Sequence, residues 1–329
     1  MYNVVFAITS QGNDFFSAMT RVAIASIRLS NPGFIVTVAC DNETDMAMKL
    51  KGDLLLEEVD QWEVINTPPG NSNFRNRFVK TSLRSIIKGQ FLFLDSDILV
   101  RGNLSPIFKI DADIAGARNH SKELFKDQVW VKDQEILDKM NWQVSDKVYI
   151  NGGVMFYNDT PKAYQFAETW HKKWSEVRNS TNSYRDQPAL NASLKEINPK
   201  IQILDDKYNA QIKTNPGVAW DAVIWHYYSS VETCLYTSFD VLVAEIYEED
   251  KFPTAKIKKI IKRKHPWRRD YIVDDIVAYK IKKQNNKNKF DENWLQGNRK
   301  KALLTYLLSL IYIIRCKLSI RTRIKKFLK

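Results

Sequence analysis

Apolar residues near the start of the chain fall into short continuous runs that alternate with stretches of helical spacing. The run NVVFAIT at residues 3–9 ends in polar, Gly-containing sequence, which predicts a buried strand followed by a loop. Residues 15–29 carry apolar side chains at helical spacing, an Asn-Pro-Gly triplet ends them, and residues 34–39 form a second apolar run. The pattern therefore predicts the order strand, helix, strand.

The alternation continues through a helix at residues 75–87 to the most strand-like segment, QFLFLDSDILV at residues 90–100. Later strands are predicted at residues 149–157, 201–204 and 223–228, and later helices at residues 163–177 and 186–195. Alternation of this kind predicts an α/β fold with a mostly parallel sheet flanked by helices. In such sheets ligands bind at the carboxyl ends of the strands.

Two segments depart from this alternation. Residues 119–147 are polar, contain tryptophan and lack a regular apolar period, as expected of an insertion that closes over a site. Later in the chain the sequence becomes lysine-rich, with a predicted hinge at Phe252-Pro253. We predict one globular domain at residues 1–250 and a basic, partly amphipathic region at residues 251–329.

The net charge of +12 is distributed unevenly along the 329 residues. Residues 251–329 hold 24 basic and 5 acidic side chains, a net charge of +19, which leaves −7 for residues 1–250. An acidic body with a cationic tail indicates an anionic surface as partner, and both phospholipid and nucleic acid meet that description. The aromatic content of 12% is typical of a globular protein and excludes a disordered one.

Cysteine usage and the first residues predict a cytoplasmic protein. The three cysteines are widely spaced and form no C-x-x-C pair, so neither a disulfide framework nor a cysteine metal site is expected. The chain starts without a basic stretch before its apolar run and looks like a first strand, not a signal peptide. The longest nearly uncharged apolar run, residues 302–314, is shorter than the about 20 residues that cross a bilayer.

Asp95, Ser96 and Asp97 form a D-x-D pattern directly after the apolar run FLFL. A pair of carboxylates at the end of a buried strand needs a counter-ion. Hard oxygen ligands suit Mn²⁺ or Mg²⁺, and such an ion bridges the phosphates of a nucleotide sugar. Solvated acids at a strand end explain an isolated D-x-D equally well. A second copy at residues 111–113 lacks the preceding strand and is interpreted as a surface turn.

Six segments around this pattern stand in a characteristic order and together span about two thirds of the chain. They are VFAIT at residues 5–9, FLFLDSDILV at 91–100, YINGGVMFYN at 149–158, RDQPALN at 185–191, KYNAQ at 207–211 and VIWHYY at 223–228. In type, order and spacing they resemble the glycosyltransferase family 8 group of GT-A enzymes. The resemblance implies a GT-A fold and a divergent sugar transferase of the kind found in bacterial polysaccharide and lipopolysaccharide biosynthesis.

The resemblance implies that Asp95, Asp97 and His226 bind the metal ion, Mn²⁺ or Mg²⁺. Imidazole is a suitable borderline ligand for Mn²⁺. From the residues alone His226, between Trp225 and Tyr227, is better explained as a core histidine bonded to backbone, and the resemblance reverses that preference. The other three histidines have no comparable context.

The resemblance also implies a donor-binding set spread over several segments. Its members are Thr9, Ser10, Gln11, Arg77, Lys80, Ser96, Asn151 and Gly152. The loop at residues 9–11 departs from the acidic pattern of the family. At Gly152 a missing side chain allows the backbone to approach the sugar, although a β-bulge explains the glycine pair equally well. For Lys80 a solvated helix face is nearly as good an explanation as contact with a phosphate or a sugar hydroxyl.

Asp186 and Gln187 match the D-Q pair that in the family lies beside the anomeric carbon. The resemblance implies that Asp186 contacts sugar hydroxyls and that Gln187 lies near the reacting face. It also implies retention of anomeric configuration by a front-face route, in which the leaving phosphate helps deprotonate the acceptor. As residues at a helix start the pair has a second explanation, since both could serve only as caps. No carboxylate nucleophile is identifiable, and inversion stays an alternative.

One departure from the family is large. The family has a glycine and a Lys-Pro-Trp segment shortly after the histidine, and this chain has YYSSVETCLYTS at residues 227–238 instead. The lysine that holds the diphosphate is therefore missing. We expect a basic residue of KIKKIIKRKHPWRR, at residues 256–269, to take its place.

The basic tail predicts attachment to a membrane surface. Ile257, Ile260, Ile261 and Trp267 are interleaved with basic residues, and an apolar stretch precedes seven basic residues within 315–329. Apolar anchors beside clustered cations are typical of a segment in the headgroup region of an anionic leaflet. We expect reversible, salt-sensitive attachment to the inner face of the membrane, beside a lipid-linked glycan acceptor. An ordinary helix packed on the body is the alternative for the apolar stretch.

Two other classes of protein share some of these features. A nucleotidyltransferase also binds metal through paired carboxylates, but residues 9–13 lack the Gly-rich phosphate loop of that class. A non-catalytic protein that binds an anionic polymer would have the basic tail, but the acidic body and its ordered segments would stay unexplained. We therefore expect a nucleotide-diphosphate sugar donor and a glycan acceptor as partners, and no nucleic acid.

Overall fold

The computed structural model describes residues 2–122, 124–212, 214, 218–228, 238–249, 254–263, 266, 300 and 303. The strands in this part of the chain are β1 (Asn3–Ile8), β2 (Ile35–Asp41), β3 (Gln61–Ile65), β4 (Phe91–Leu94), β5 (Ile98–Val100), β6 (Ile114–Arg118), β7 (Ile150–Tyr157), β8 (Ile201–Ile203), β9 (Ala210–Gln211) and β10 (Ile224–His226). The α-helices are α1 (Phe15–Ser30), α2 (Asn42–Leu50), α3 (Leu55–Glu58), α4 (Ser72–Ile86), α5 (Phe125–Gln128), α6 (Val131–Met140), α7 (Pro161–Thr181), α8 (Gln187–Ile197), α9 (Phe239–Glu249) and α10 (Thr254–Ile261).

Seven strands form the large sheet, in the order β3-β2-β1-β4-β7-β6-β8. β1 runs parallel to β2 and β4, β2 runs parallel to β3, and β6 runs parallel to β8. β7 is antiparallel to both of its neighbours, β4 and β6. The predicted α/β fold with a mostly parallel sheet flanked by helices is therefore confirmed, with β7 as the exception in direction.

The segment predicted as one strand, residues 90–100, forms two strands in different sheets. β4 ends at Leu94, and β5 begins at Ile98 and pairs with β10 in a three-stranded sheet that also contains β9. Apolar periodicity does not reveal this break, because every residue of both strands is buried. The D-x-D carboxylates therefore lie in the turn between the two sheets.

Helices cover both faces of the large sheet, each through one apolar stripe. On one face α1 packs through Ile24 and Ile27, and on the other α4, α7 and α8 pack through Val79, Trp170 and Leu190. Burial of each large apolar side chain contributes roughly 1.5–3 kcal/mol. These layers hold the strand ends that carry the site.

Residues 119–147, predicted as an irregular insertion, contain α5 and α6. Asp133 of α6 is fully buried and forms an ion pair with Arg185 at 2.6 Å between Oδ1 and Nε. Tyr149 donates to the same carboxylate through its hydroxyl. This ion pair fastens the insertion to the residues just before α8.

α10, in the described part of the tail, packs against α1. Ile257 and Ile260 are buried in one cluster with Val22 and Leu242. The interpretation of these two isoleucines as membrane anchors is therefore wrong, because the apolar face of α10 is turned toward the body. The predicted hinge and Trp267 lie outside the described residues. Within the described residues, a helix with the length and apolar character needed to span a membrane is not found.

Candidate active site

A cleft of about 570 Å³ opens where the carboxyl ends of β1 and β4 face the start of α8. Its lining residues are Ala7, Ile8, Thr9, Phe16, Met19, Thr20, Ser72, Asn73, Asn76, Arg77, Lys80, Asp95, Ser96, Asp97, Asn119, Trp130, Asn151, Gly152, Gly153, Tyr184, Arg185, Asp186, Gln187 and Tyr228. The position agrees with the rule that ligands of α/β sheets bind at strand carboxyl ends. Of the residues predicted from the sequence, Ser10, Gln11 and His226 are outside this lining.

Backbone hydrogen bonds hold the D-x-D turn to both sheets. The N–H of Asp95 donates to the carbonyl of Gly153 in β7 over 2.8 Å. The N–H of Tyr227, next to the end of β10, donates to the carbonyl of Asp97 over 2.9 Å. The two carboxylates are thereby fixed at the seam between the sheets.

The pairing of β5 with β10 brings His226 to these carboxylates. His226 is the direct partner of Ile98, the residue after Asp97, and its Nε2 lies 3.2 Å from Oδ1 of Asp97. One ligand atom from each of Asp95, Asp97 and His226 lies within 4.8 Å of the others. Two carboxylate oxygens and one imidazole nitrogen at this spacing are a suitable donor set for Mn²⁺.

His226 is buried, yet one of its ring nitrogens has no hydrogen-bond partner. Nδ1 lies 2.7 Å from Oδ1 of Asn209. Nε2 lies 3.2 Å from Oδ1 of Asp97, and no hydrogen bond to it is found among the described residues. A buried polar atom left unsatisfied costs about 1–3 kcal/mol, which a metal ligand avoids. The explanation of His226 as a core histidine bonded to backbone is therefore wrong, and the residues present fit a divalent ion.

Gly153 leaves the space that the ring of His226 and the carboxylate of Asp95 occupy. A Cβ atom on this residue would lie 2.4 Å from Cε1 of His226 and 2.8 Å from Oδ2 of Asp95. At Gly152 a Cβ would meet only ordinary contacts, the nearest 3.7 Å away at Nζ of Lys80. The register of β7 against β6 shifts between residues 150 and 155, so the glycine pair lies at an irregularity of the strand pairing. The sequence reasoning chose Gly152, whereas the steric requirement falls on Gly153.

Asp97 and His226 shift each other's pKa. Burial raises the pKa of the Asp97 carboxyl, but the neighbouring imidazole outweighs burial and holds that pKa below its usual value. Burial lowers the pKa of His226, but the Asp97 carboxylate outweighs burial and raises it above the usual imidazole value. A divalent cation at these atoms would therefore have to displace a proton.

Lys80 connects the D-x-D pair to Asp186. Its Nζ lies 3.0 Å from Oδ1 of Asp95 and 3.4 Å from Oδ2 of Asp186, and the residue is only 4% exposed. The alternative explanation of Lys80 as part of a solvated helix face is therefore wrong. Arg77, one turn earlier on α4, places Nε 3.6 Å from Oδ1 of Asp186 and stays partly exposed in the cleft.

Asp186 occupies the N-cap position of α8 without capping it. Its side chain makes no capping hydrogen bond and faces Lys80 and Arg77 instead. Burial raises the pKa of its carboxyl, but the two cations outweigh burial and lower the pKa below its usual value. Gln187, the next residue, places Oε1 3.3 Å from Nδ2 of Asn151. The explanation of Asp186 as a cap alone is therefore wrong.

Asn151 is buried, and protein groups contact both ends of its amide. Oδ1 accepts from the backbone N–H of Gly153 over 2.9 Å and from Nδ2 of Asn209 over 3.0 Å. Nδ2 donates to Oδ1 of Asn119 over 3.1 Å. Asn151 therefore supports the wall of the cleft, and the adjacent Gly152 presents its backbone there.

Only the first residue of the loop predicted to hold the nucleoside, residues 9–11, lines the cleft. Thr9 lines the cleft, whereas Ser10 and Gln11 are not brought into it. The Ser10 hydroxyl and the backbone N–H of Gln11 both donate to the carboxylate of Asp14, the N-cap of α1. Ser96, the middle residue of the D-x-D, lines the cleft and accepts a hydrogen bond from Thr20 over 2.9 Å.

Three residues that shape the site are absent from the sequence-based prediction. Asn209 contacts the ring of His226, and the ring of Tyr228 lies 5.8 Å from that imidazole. Trp130 lines the cleft from the insertion and stacks on His120, with 5.6 Å between ring centroids. Asn209 and Tyr228 stand inside the segments KYNAQ and VIWHYY, which was the available signal. Trp130 lies in a stretch without any pattern.

The expected replacement for the missing lysine is not found in the described part of residues 256–269. Among the described residues that line the cleft, the basic ones are Arg77, Lys80 and Arg185. α4 and the residues before α8 therefore supply the positive charge, and α10 does not reach the cleft with any described residue.

A sheet of this topology, with a D-x-D turn at the carboxyl end of β4 and a histidine from a second small sheet, defines a GT-A type glycosyltransferase. The model of glycosyl transferase family 8 matches residues 8–238. The chain belongs to this family and is a glycosyltransferase that uses a nucleotide-sugar donor.

Two solved structures of glycosyltransferases are similar to this chain. A structure of the galactosyltransferase LgtC, in complex with donor and acceptor sugar analogues, superposes with a TM-score of 0.51 and 18% sequence identity over 77% of this chain and 95% of LgtC. Mouse xyloside xylosyltransferase 1 gives a TM-score of 0.44 and 14% identity over 70% of this chain and 99% of the mouse protein. A search of curated protein sequences finds no match.

Proposed function

We propose that this chain is a metal-dependent, retaining glycosyltransferase that moves a sugar from a UDP-sugar to a glycan or lipid-linked glycan. The observation that carries this proposal is the convergence of three ligand atoms within 4.8 Å: one oxygen each from Asp95 and Asp97, which line the cleft, and a ring nitrogen of His226, a buried residue outside that lining. A D-x-D without the histidine would fit several classes of protein. The complete donor set beside a sugar-sized cleft favours a diphosphate ligand.

Asp95, Asp97 and His226 would hold Mn²⁺ or Mg²⁺. When bound, such an ion would offset the negative charge that develops on a departing diphosphate. Lys80 and Arg77 add positive charge on the adjacent wall, where α4 faces the cleft. Fixed charges in a site that excludes water act more strongly than the same charges in water.

The donor sugar is assigned to the side of the cleft formed by α8 and β7. Asp186 is held by two cations and is ionised, so its carboxylate accepts hydrogen bonds from sugar hydroxyls. Gln187 presents an amide, and Gly152 presents backbone, at the same wall. The nucleoside is assigned to the opposite side, where Thr9 and Phe16 line the cleft.

The carboxylates of the cleft support retention by a front-face route. Among the described residues that line the cleft, the carboxylates are those of Asp95, Asp97 and Asp186. The first two serve as metal ligands in this proposal, and the third is a poor base because two cations lower its pKa. A phosphate oxygen of the leaving group is then the available acceptor for the proton of the attacking hydroxyl.

Attachment to an anionic membrane surface is proposed for residues 251–329, on the basis of their net charge of +19. In α10 the apolar face packs on the body, and Lys258, Lys259 and Lys262 are exposed at or next to the helix. This arrangement supports electrostatic attraction to anionic headgroups, and not insertion of α10.

The function is tested with a panel of nucleotide sugars, with Mn²⁺ and after chelation. We expect release of UDP from one UDP-sugar, dependence on the divalent ion, and loss of turnover in Asp97→Ala. The anomeric configuration of the product, read by ¹H NMR, tests retention separately. Turnover that persists after chelation and in Asp97→Ala would overturn the metal-dependent mechanism, and an inverted product would overturn only the retaining route.

A further inference from the structure

We propose that Asn209 is a positioning residue that fixes the tautomer of His226 and thereby directs the lone pair of Nε2 at the metal site. The proposal rests on the proposed metal-dependent function and concerns the residue behind the ligand. Asn209 is fully buried between the Asp206–Tyr208 turn and β9. β9 runs parallel to β10, which carries His226.

The direction of the hydrogen bonds is anchored at one end by a backbone donor. The N–H of Gly153 donates over 2.9 Å to the amide of Asn151. A backbone N–H is only a donor, so the Asn151 atom that it meets is the carbonyl oxygen Oδ1. That oxygen lies 3.0 Å from the amide of Asn209, which must therefore present its Nδ2 group there.

A backbone acceptor anchors the other end of the same network. The carbonyl of Gln128 accepts from the amide of Asn119 over 2.5 Å, so the Asn119 atom at that contact is Nδ2. Its Oδ1 then faces Asn151 over 3.1 Å and accepts from Nδ2 of that residue. Both anchors give Asn151 the same orientation. Reversal of one amide would place like groups against each other at a cost of about 1–3 kcal/mol for each buried group.

This orientation decides which ring nitrogen of His226 carries hydrogen. With Nδ2 of Asn209 directed at Asn151, its Oδ1 faces the imidazole, 2.7 Å from Nδ1. An oxygen at that distance requires Nδ1 to be the donor. A neutral imidazole has a single N–H, so Nε2 keeps its lone pair on the side of Asp95 and Asp97.

The consequence for the metal site is quantitative. Groups that hydrogen-bond the far nitrogen of a ligating histidine orient the ring, and their loss typically weakens metal binding about 10- to 100-fold. The acceptor here is a neutral amide, so it orients the ring without adding a charge. Asn209 therefore acts on the ion through His226, while its Nδ2 group also supports Asn151.

The test compares metal-free tautomer and Mn²⁺ affinity in three variants. Asn209→Leu removes the acceptor at similar volume, and Asn209→Asp keeps an acceptor toward His226; both variants lose the Nδ2 donor to Asn151, so only the loss of the acceptor distinguishes them. Asn31→Leu is the matched control, because Asn31 is also buried and bonds Gly102 and Leu104, away from the residues that line the cleft. The tautomer is read by long-range ¹H–¹⁵N NMR of histidine-labelled protein, at a pH above the titration of His226 as followed in the same spectra, because the Asp97 carboxylate raises the pKa of this imidazole. His226→Gln assigns the signal.

We expect an Nδ1–H tautomer in the wild type. Asn209→Leu is expected to populate the Nε2–H form and to bind Mn²⁺ about 10- to 100-fold more weakly. Asn209→Asp should keep the Nδ1–H form and lose less than about ten-fold in affinity. Asn31→Leu should keep the wild-type tautomer and affinity even where its thermal stability falls.

An Nε2–H tautomer in the wild type would overturn the proposal without any need for a variant that folds. The proposal would also be overturned if Asn209→Leu showed the same His226 tautomer and the same Mn²⁺ affinity as the control Asn31→Leu. An Nδ1–H tautomer in a wild type that binds no Mn²⁺ would support the assignment of Asn209 and overturn the proposed metal site instead.

Discussion

His226 and Ile98 are direct partners in the antiparallel pairing of β5 with β10, and this pairing places the imidazole beside the carboxylate of Asp97. The same turn is bonded to Gly153 in the large sheet and to Tyr227 after β10. The site therefore depends on the registers of two sheets at once. Substitutions at this seam are expected to separate effects on metal, donor and stability.

Asp97→Asn replaces a carboxylate ligand by a neutral amide of the same size. We expect Mn²⁺ affinity and kcat/KM for the donor each to fall at least about 100-fold, because a hard divalent cation loses an anionic oxygen. Metal titration and UDP release measure the two effects. The matched control is Asp111→Asn in the second D-x-D, where the side chain is 94% exposed. If Asp111→Asn lost as much Mn²⁺ affinity and kcat/KM as Asp97→Asn, the assignment of Asp97 as a metal ligand would be contradicted.

Gly153→Ala introduces a Cβ atom into the space between His226 and Asp95. The clashes at 2.4 Å and 2.8 Å require a ligand to move, so we expect Mn²⁺ affinity to fall at least about ten-fold. Gly152→Ala is the control for this measurement only, because its Cβ has ordinary contacts. Unchanged Mn²⁺ affinity in Gly153→Ala would show that the ligands do not need this space.

Lys80→Met removes the cation between Asp95 and Asp186 and keeps the length of the side chain. Two carboxylates then repel each other, and we expect kcat/KM for the donor to fall about 10- to 100-fold, with a loss of about 1–3 kcal/mol in unfolding free energy. Steady-state kinetics and chemical denaturation measure these effects. Lys49→Met, in an exposed ion pair on α2, should change neither by a comparable amount. If Lys80→Met has the kcat/KM of the wild type, Lys80 does not contribute to donor binding.

Stability is expected to depend on pH through His120. Burial, with a further effect from Lys122 and Arg185, lowers the pKa of its imidazole from 6.5 to about 4. The unfolded state binds this proton more readily than the folded state. The group therefore has no effect above about pH 6.5 and destabilises the fold increasingly as the pH falls to about 4.

His120→Asn removes the ionisable ring, and asparagine tolerates the φ of 58° at this position. Between about pH 6.5 and about pH 4, the unfolding free energy of the wild type should fall more steeply than that of the variant. The difference reaches at most about 1.4 kcal/mol per pH unit. Urea denaturation across this range measures it, and parallel curves would show that His120 does not titrate as described.

Deletion of residues 300–329 tests attachment to the membrane. The full chain should sediment with vesicles that contain anionic phospholipid at low salt and be released at high salt, because the attraction is screened. The deletion should reduce sedimentation at low salt, and neutral vesicles should bind neither protein. Equal sedimentation of both proteins at low and at high salt would end the proposal.

Most elements of the sequence prediction are present because their signals are local. The predicted helix at residues 163–177 is found as Pro161–Thr181, extended at its start by the cap Thr160. The apolar run at residues 90–100 was misleading, since burial on both sides hides a change of sheet. Ile257 and Ile260 were misleading for a similar reason, because an amphipathic helix faces a protein core and a membrane with the same pattern.

By itself the sequence determined the order of strands and helices, the placement of the D-x-D after a buried run, and the family to which the ordered segments point. These features are encoded by neighbours along the chain. Only the tertiary structure decided that Lys80 bridges Asp95 and Asp186, that a Cβ on Gly153 would clash with His226, and that Asn209 contacts the ring of His226. Each of these depends on strand register and helix packing between distant segments, which bring together atoms that no local pattern relates.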